Sequence, residues 1–119
     1  MAELRFITID CADHEALARF WAGALEWSVS YCESDGALIE AADGRLPRLF
    51  LQPVPEAKTV KNRVHVDLAT ERFDDELTRL TALGANALRE NSGPARRSMV
   101  MADPEGNEFC LAESASMSP

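Results

Sequence analysis

At 119 residues, 46% hydrophobic and 27% charged, the chain has the size of one domain and the composition of an ordinary globular protein, which excludes a disordered or fibrous one. Its 20 acidic residues outweigh 12 basic ones for a net charge of −8, so a phosphate backbone would be repelled and nucleic acid is not an expected partner. No apolar run approaches the roughly 18 residues that a membrane span needs, so a membrane is not expected either and a small molecule is.

The stretch from Met1 to Asp10 has neither a charged leader nor a long apolar core, and three cysteines, Cys11, Cys32 and Cys110, make an odd number. Both features predict reduced thiols in a cytoplasmic protein. Leu4 to Cys11 alternates as a strand does, with Phe6, Thr8 and Asp10 on one face and Ile7, Ile9 and Cys11 on the other. Asp13 then offers an N-cap, and Leu17, Phe20, Trp21, Ala24 and Leu25 line one stripe of a helix that must cover a sheet. His14, just past the cap, is expected to face solvent, and Phe20, Trp21 and Cys11 to be core.

Trp27 to Tyr31, Ala37 to Glu40 and Arg48 to Gln52 read as three strands, separated by the turn signals Ser34-Asp35-Gly36 and Asp43-Gly44. Pro53-Val54-Pro55 ends the last of them, and the polar run from Glu56 to Asn62 reads as an exposed connection.

The plan then repeats. Val64 to Leu68 is an alternating strand, and Phe73, Leu77 and Leu80 lie along a helix that stops at Leu83-Gly84, where glycine takes the left-handed cap. Ala87 to Glu90, Met99 to Ala102 and Glu108 to Ala112 are strands, the last two joined by the tight turn Asp103-Pro104-Glu105-Gly106-Asn107, to which we assign a structural role. Ile7-Thr8-Ile9-Asp10 rhymes with Val64-His65-Val66-Asp67. The expectation is a single α+β domain over 1–119, with module one at about 4–53, a linker at about 54–62, module two at about 63–112 and a small polar tail over 113–119. Such duplication usually places two sheets around a shared cleft.

Five segments together resemble the vicinal oxygen chelate superfamily, in particular its small glyoxalase-like members, which include bleomycin-resistance-type proteins. They are Ile9 to Asp13 running into Ala18-Arg19-Phe20-Trp21, then Leu25-Glu26-Trp27, Val64 to Leu68, Leu83-Gly84-Ala85, and Asp103 to Leu111. Order and spacing carry the likeness, which spans about Leu4 to Ala112. The resemblance implies paired βαβββ modules in a curved, open, barrel-like mixed sheet with a concave pocket, commonly as a homodimer.

In metal-dependent members the resemblance implies a divalent cation held by His and Glu side chains from four strands, with substrate oxygens completing its shell. Counted from Asp13, the first of these positions falls on Phe6; the one ending the first half falls near Leu51 or Gln52; the others fall on His65 and Cys110. Two donors survive of four, too few for a hard ion. Zinc tolerates His and Cys but wants at least three protein ligands, for which Asp67 and Glu108 stand close in sequence. The expectation is therefore no metal ligand set and no cofactor, with a divalent metal left open.

Alternation puts His65 on the face away from the helix, where an imidazole acts as a general base or orients a ligand, or simply bonds to Asp67. Cys110 is a candidate nucleophile if a nearby charge lowers its thiol pKa, and otherwise a small buried hydrophobe. His65 and Cys110 are the catalytic candidates, and Phe6, Thr8, Gln52, His65, Asp67, Met101 and Cys110 the ligand-binding ones. Phe6, Trp27, Phe50 and Met101 offer apolar walls to a planar ligand, while Arg48, Arg63 and Arg97 either meet an anionic group or are plain surface charge. The reading is a small-molecule-binding protein with a degenerate metal site, binding or sequestering an organic ligand or doing metal-free acid–base chemistry. The alternative is a metal-dependent lyase, isomerase or dioxygenase of the same superfamily.

Overall fold

The structure, a computed structural model, describes residues 1–94 and 97–114. It divides into two compact units, Met1–Lys58 and Thr59–Pro119. The first contains β1 (Phe6–Cys11), α1 (His14–Leu25), β2 (Ser28–Glu33), β3 (Gly36–Glu40) and β4 (Arg48–Pro53). The second contains β5 (Val66–Thr70), α2 (Phe73–Leu83), β6 (Asn86–Glu90), β7 (Ser98–Ala102) and β8 (Glu108–Glu113). Each unit is thus a βαβββ module of an α+β protein, its four strands in one mixed sheet, ordered β1-β4-β3-β2 and β5-β8-β7-β6 respectively. In both, the first strand runs parallel to the last, and the remaining pairs are antiparallel. A right-handed crossover through the helix is the usual way to join such a parallel pair.

In module one, α1 begins where Asp13 Oδ1 accepts the Ala16 N–H at 3.1 Å, and it ends at Glu26, which turns left-handed with φ 58°. Its stripe of Leu17, Phe20, Trp21 and Ala24 is buried against β3, β2 and β4. Phe20 and Trp21 meet edge to face with ring centroids 5.3 Å apart. Burying each large apolar side chain of this stripe contributes about 1.5–3 kcal/mol. His14, expected to face solvent, is half-buried, and its Nε2 donates to the Glu33 carbonyl at 2.6 Å, tying the start of α1 to the end of β2.

In module two, α2 has no side-chain cap at Arg72, and Asp74, Asp75 and Glu76 in its first turn favour the positive end of its dipole. Gly84 ends it with φ 123°, its N–H reaching the Leu80 and Thr81 carbonyls. Phe73 and Leu80 are buried, and the helix packs on β8, whose Phe109 and Leu111 are fully buried. The turn before β8 is held by Asp103, itself buried, whose Oδ1 accepts the N–H groups of Glu105 and Asn107 at 2.9 Å each.

Several expected bounds shift by up to two residues, among them the first strand, which begins at Phe6 rather than Leu4, and the second, which runs Ser28–Glu33 rather than Trp27 to Tyr31. The strand expected from Val64 begins at Val66, because the backbone N–H of Glu108 donates to Asn62 Oδ1 at 2.8 Å and the β5–β8 ladder starts only with Val66 opposite Phe109. Glu113, expected to open the tail, instead closes β8, and Ser114 N–H donates to the Thr70 carbonyl at 2.8 Å; 115–119, the rest of the expected tail, lie outside the described residues, as does Arg96. No disulfide joins Cys11, Cys32 or Cys110, and no helix among the described residues is long and apolar enough to cross a membrane.

Candidate functional site

Each sheet has one face covered by its own helix and one face that is not. Along β5, Val66 and Leu68 point to the covered side and Asp67 to the other, in step with Phe109 and Leu111 against Cys110 on β8. Asp67 and Cys110 are register partners, so parallel pairing sets carboxylate and thiol side by side. His65, two residues before Asp67 and just outside the strand, projects to the same side, its Nδ1 3.4 Å from Asp67 Oδ1. The side chains of His65 and Asp67 are 45% and 49% exposed, whereas Val100, the partner of Cys110 on β7, is 6% exposed. The group is therefore open toward β5 and closed toward β7. One ligand atom from each of His65, Asp67 and Cys110 lies within 4.8 Å of the others.

Burial pushes the Cys110 thiol pKa up, and the neighbouring Asp67 carboxylate pushes it further by its charge and its hydrogen bond; Arg89 and Lys61 pull the other way without prevailing. This is the reverse of what an activated nucleophile needs. Glu108, which its sequence position offers as a further donor, lies 3.1 Å from Lys61 Nζ in an ion pair. Met101, expected as a wall, is fully buried and opposite Phe109 on the helix-covered side, so it packs the core and presents nothing to a ligand.

In module one, Phe6, Thr8 and Gln52 are exposed, Phe6 at 46%. Phe6 pairs with Arg48, Thr8 with Phe50 and Asp10 with Gln52, so all of these share the side away from Leu49 and Leu51. Gly36 leaves room for the Phe50 ring, which would stand 2.4 Å from any Cβ placed there. Arg48 Nε lies 3.3 Å from Glu40 Oε2, close enough for an ion pair but without hydrogen-bond geometry. Arg97 is committed elsewhere, 2.9 Å from Asp74 and stacked 4.4 Å over the Phe73 ring.

The repeat allows the two modules to be superposed residue by residue through their ladders. Val54 N–H donates to the Cys11 carbonyl as Ser114 N–H does to that of Thr70, so Cys11 corresponds to Thr70. Counting back, Thr8 corresponds to Asp67 and Phe6 to His65; across the ladder, Phe50 corresponds to Cys110. The rhyme of Ile7-Thr8-Ile9-Asp10 with Val64-His65-Val66-Asp67 is thus out of step by two residues, a shift that leaves every side chain on the same face. The counterpart of Cys110 is Phe50 rather than Leu51, which is buried on the helix side, or Gln52, which stands one row further along. The signal was present in the sequence: the apolar pair Leu49 and Leu51 matches Phe109 and Leu111 and leaves Phe50 opposite Cys110.

A sequence model described as "Glyoxalase-like domain" matches residues 6–112. No curated protein matches the chain. Among solved structures, a glyoxalase/bleomycin resistance protein/dioxygenase family enzyme from Burkholderia phytofirmans PsJN superposes with a TM-score of 0.77 at 15% identity, covering 94% of this chain and 98% of that one. A genomically encoded fosfomycin resistance protein from Listeria monocytogenes gives 0.76 at 17%, with coverages of 95% and 93%. A lactoylglutathione lyase from Agrobacterium tumefaciens gives 0.67 at 14%, with coverages of 97% and 96%. At such identities the likeness establishes the fold alone.

Proposed function

The chain belongs to the glyoxalase-like domain family, and from that premise we propose that it is a small-molecule-binding member whose metal site is degenerate. One observation carries the reading: Phe6 and Phe50 stand in module one where His65 and Cys110 stand in module two. A phenyl ring has no lone pair to give an ion, so half of the four positions that the resemblance assigns to ligands offer apolar, stacking surface instead. The residues that carry binding are Phe6, Thr8 and Gln52 on the uncovered face of module one, and His65, Asp67 and Cys110 on that of module two. His65, beside a carboxylate that orients its ring, donates to a ligand or takes its proton; Cys110 acts as a polarisable contact rather than a nucleophile. The same reading makes the protein a cytoplasmic homodimer of single glyoxalase-like domains.

A thermal-shift screen of small planar organic compounds, run in chelator, tests the proposal. The expected hit raises the melting temperature without added metal, and Phe6→Ala or His65→Ala weakens it by about tenfold, the effect of losing one well-buried contact. Hits whose affinity is untouched by both substitutions, or that need an ion, would overturn it.

A further inference from the structure

We propose that Arg48 and Glu40, on the uncovered face of module one, form a donor–acceptor edge that selects a neutral planar ligand carrying a carbonyl and an N–H side by side, as a carboxamide or a lactam does. The inference rests on the reading above for the planar ligand and its aromatic walls, and it adds what the polar edge of that ligand must be.

Arg48 opens β4 in register with Phe6 of β1, and Glu40 closes β3 in register with Ser28 of β2. The β3–β4 ladder pairs Ile39 with Leu49, so the next pair outward sets Glu40 beside Arg48, on the side opposite buried Ile39 and Leu49. The two side chains are 29% and 28% exposed and stand 3.3 Å apart, Nε to Oε2. A bulge in β2 leaves Ser30 without a ladder partner and turns its hydroxyl onto the same Glu40 Oε2, to which it donates at 3.2 Å. Oε2 is thus engaged twice, whereas no hydrogen bond among the described residues reaches Oε1. Arg48 Nε is buried without an acceptor, and no other N–H of its guanidinium donates to a described residue. Unused donors and an unused acceptor therefore stand next to each other, and a buried guanidinium N–H without an acceptor favours any ligand that brings one.

Charge decides which ligand. The pair sums to zero, Asp10 stands on the same face two rows further along, and the chain carries −8. A carboxylate would meet Arg48 but turn its own charge on Glu40 and Asp10, and an amidinium would meet Glu40 but repel Arg48. An amide edge serves both at once, its carbonyl accepting from the guanidinium while its N–H donates to the carboxylate. The plane of the amide then continues into a ring that Phe6, beside Arg48 on β1, and Phe50, two residues along β4, stack against. The fold itself does not require the pair. In module two Glu108 takes the place of Arg48 and Ala102, its ladder partner, the place of Glu40, and Glu108 turns to Lys61 instead.

The test titrates the full chain, in chelator, with 2-naphthamide, 2-naphthoate and 2-naphthamidine, followed by NMR shifts of the backbone amides. The three probes share one ring system and differ in whether the edge carries acceptor and donor, acceptors alone or donors alone. The amide should bind at least about tenfold more tightly than either charged probe. Glu40→Gln should move the preference toward the carboxylate by about tenfold, and Arg48→Gln toward the amidine by as much, opposite changes that a purely structural ion pair does not give. Each comparison is made within one protein, so a loss of stability does not imitate it. No probe bound, equal affinities for all three in the wild type, or an unchanged order of preference in both variants would overturn the inference. Planar compounds without an amide edge that bind, and weaken in Phe6→Ala, while the three probes are not distinguished would remove this inference and leave the proposed function. Amide selectivity that shifts in Glu40→Gln but ignores both Phe6→Ala and His65→Ala would do the opposite.

Discussion

Asp67 and Cys110 sit directly opposite one another on the parallel strands β5 and β8, on the side that α2 does not cover. The carboxylate both repels a thiolate and accepts a hydrogen bond from the thiol, and it adds to burial in holding the proton on sulfur.

The ion-free protein should therefore alkylate slowly at Cys110, at a pH where an ordinary thiol reacts readily, and the rate should climb as pH passes above the normal cysteine range. Asp67→Asn removes the charge but not the burial, so it should move the rate profile toward lower pH without restoring it fully. Iodoacetamide kinetics followed by mass spectrometry in a Cys32→Ser background measure this; an unshifted profile in Asp67→Asn would show that the carboxylate is inert toward the thiol.

Gly36 opens β3 with φ 148°, and a methyl there would stand 2.4 Å from the Phe50 ring and 2.8 Å from the Leu51 carbonyl oxygen. Gly36→Ala should destabilise the protein by about 2–3 kcal/mol. Adding Phe50→Ala should not recover the loss, because the backbone oxygen and the positive φ remain. Urea denaturation of the single and double variants distinguishes this from a purely aromatic clash, which the double variant would relieve.

Glu26 ends α1 in a left-handed conformation that costs a residue with a Cβ about 1–2 kcal/mol. Glu26→Gly removes most of that cost at some expense in unfolded-chain entropy, for an expected net gain of about 0.5–1 kcal/mol. The denaturation midpoint should rise with an unchanged slope. A midpoint that falls would mean the glutamate side chain contributes more than its backbone costs.

Arg79 grips Glu76 through two hydrogen bonds, at 2.7 and 2.6 Å, and holds its carboxyl pKa below the ordinary range. A depressed carboxylate stabilises the fold above its unfolded pKa, and that contribution disappears as pH falls through the folded value. Since both side chains remain partly exposed, Glu76→Gln should cost only about 0.5 kcal/mol at neutral pH. The cost should vanish at a pH low enough to protonate Glu76 in both states. Equal costs at both pH values would place the effect in packing rather than in charge.

Most elements were legible from local pattern. The stripe Leu17, Phe20, Trp21 and Ala24 has no other way to be buried than as a helix on a sheet, and it is buried so. The Asp103 turn announced itself through Pro104 and Gly106. Met101 was misplaced because Met99 to Ala102 is apolar at nearly every position, so alternation does not say which side faces the helix; its pairing with Phe109 decides that. Leu51 and Gln52 stood in for Phe50 because a ligand position estimated by counting is uncertain by a residue or two, and one residue on a strand is the opposite face.

By itself, the chain of residues determined the duplicated βαβββ plan, the Asp13 and Gly84 helix caps and the apolar stripe of α1, because these depend on neighbours within a few residues and on periods of two and 3.6. The family likeness also rests on that order. The tertiary structure decided the register between β5 and β8 that joins Asp67 to Cys110, the two-residue offset that pairs Phe6 with His65 across the repeat, and the upward shift of the thiol. Those are set by partners 43 residues apart, as 110 − 67 gives, and a slip of two residues costs an alternating pattern nothing until ladder hydrogen bonds and packed side chains select one pairing.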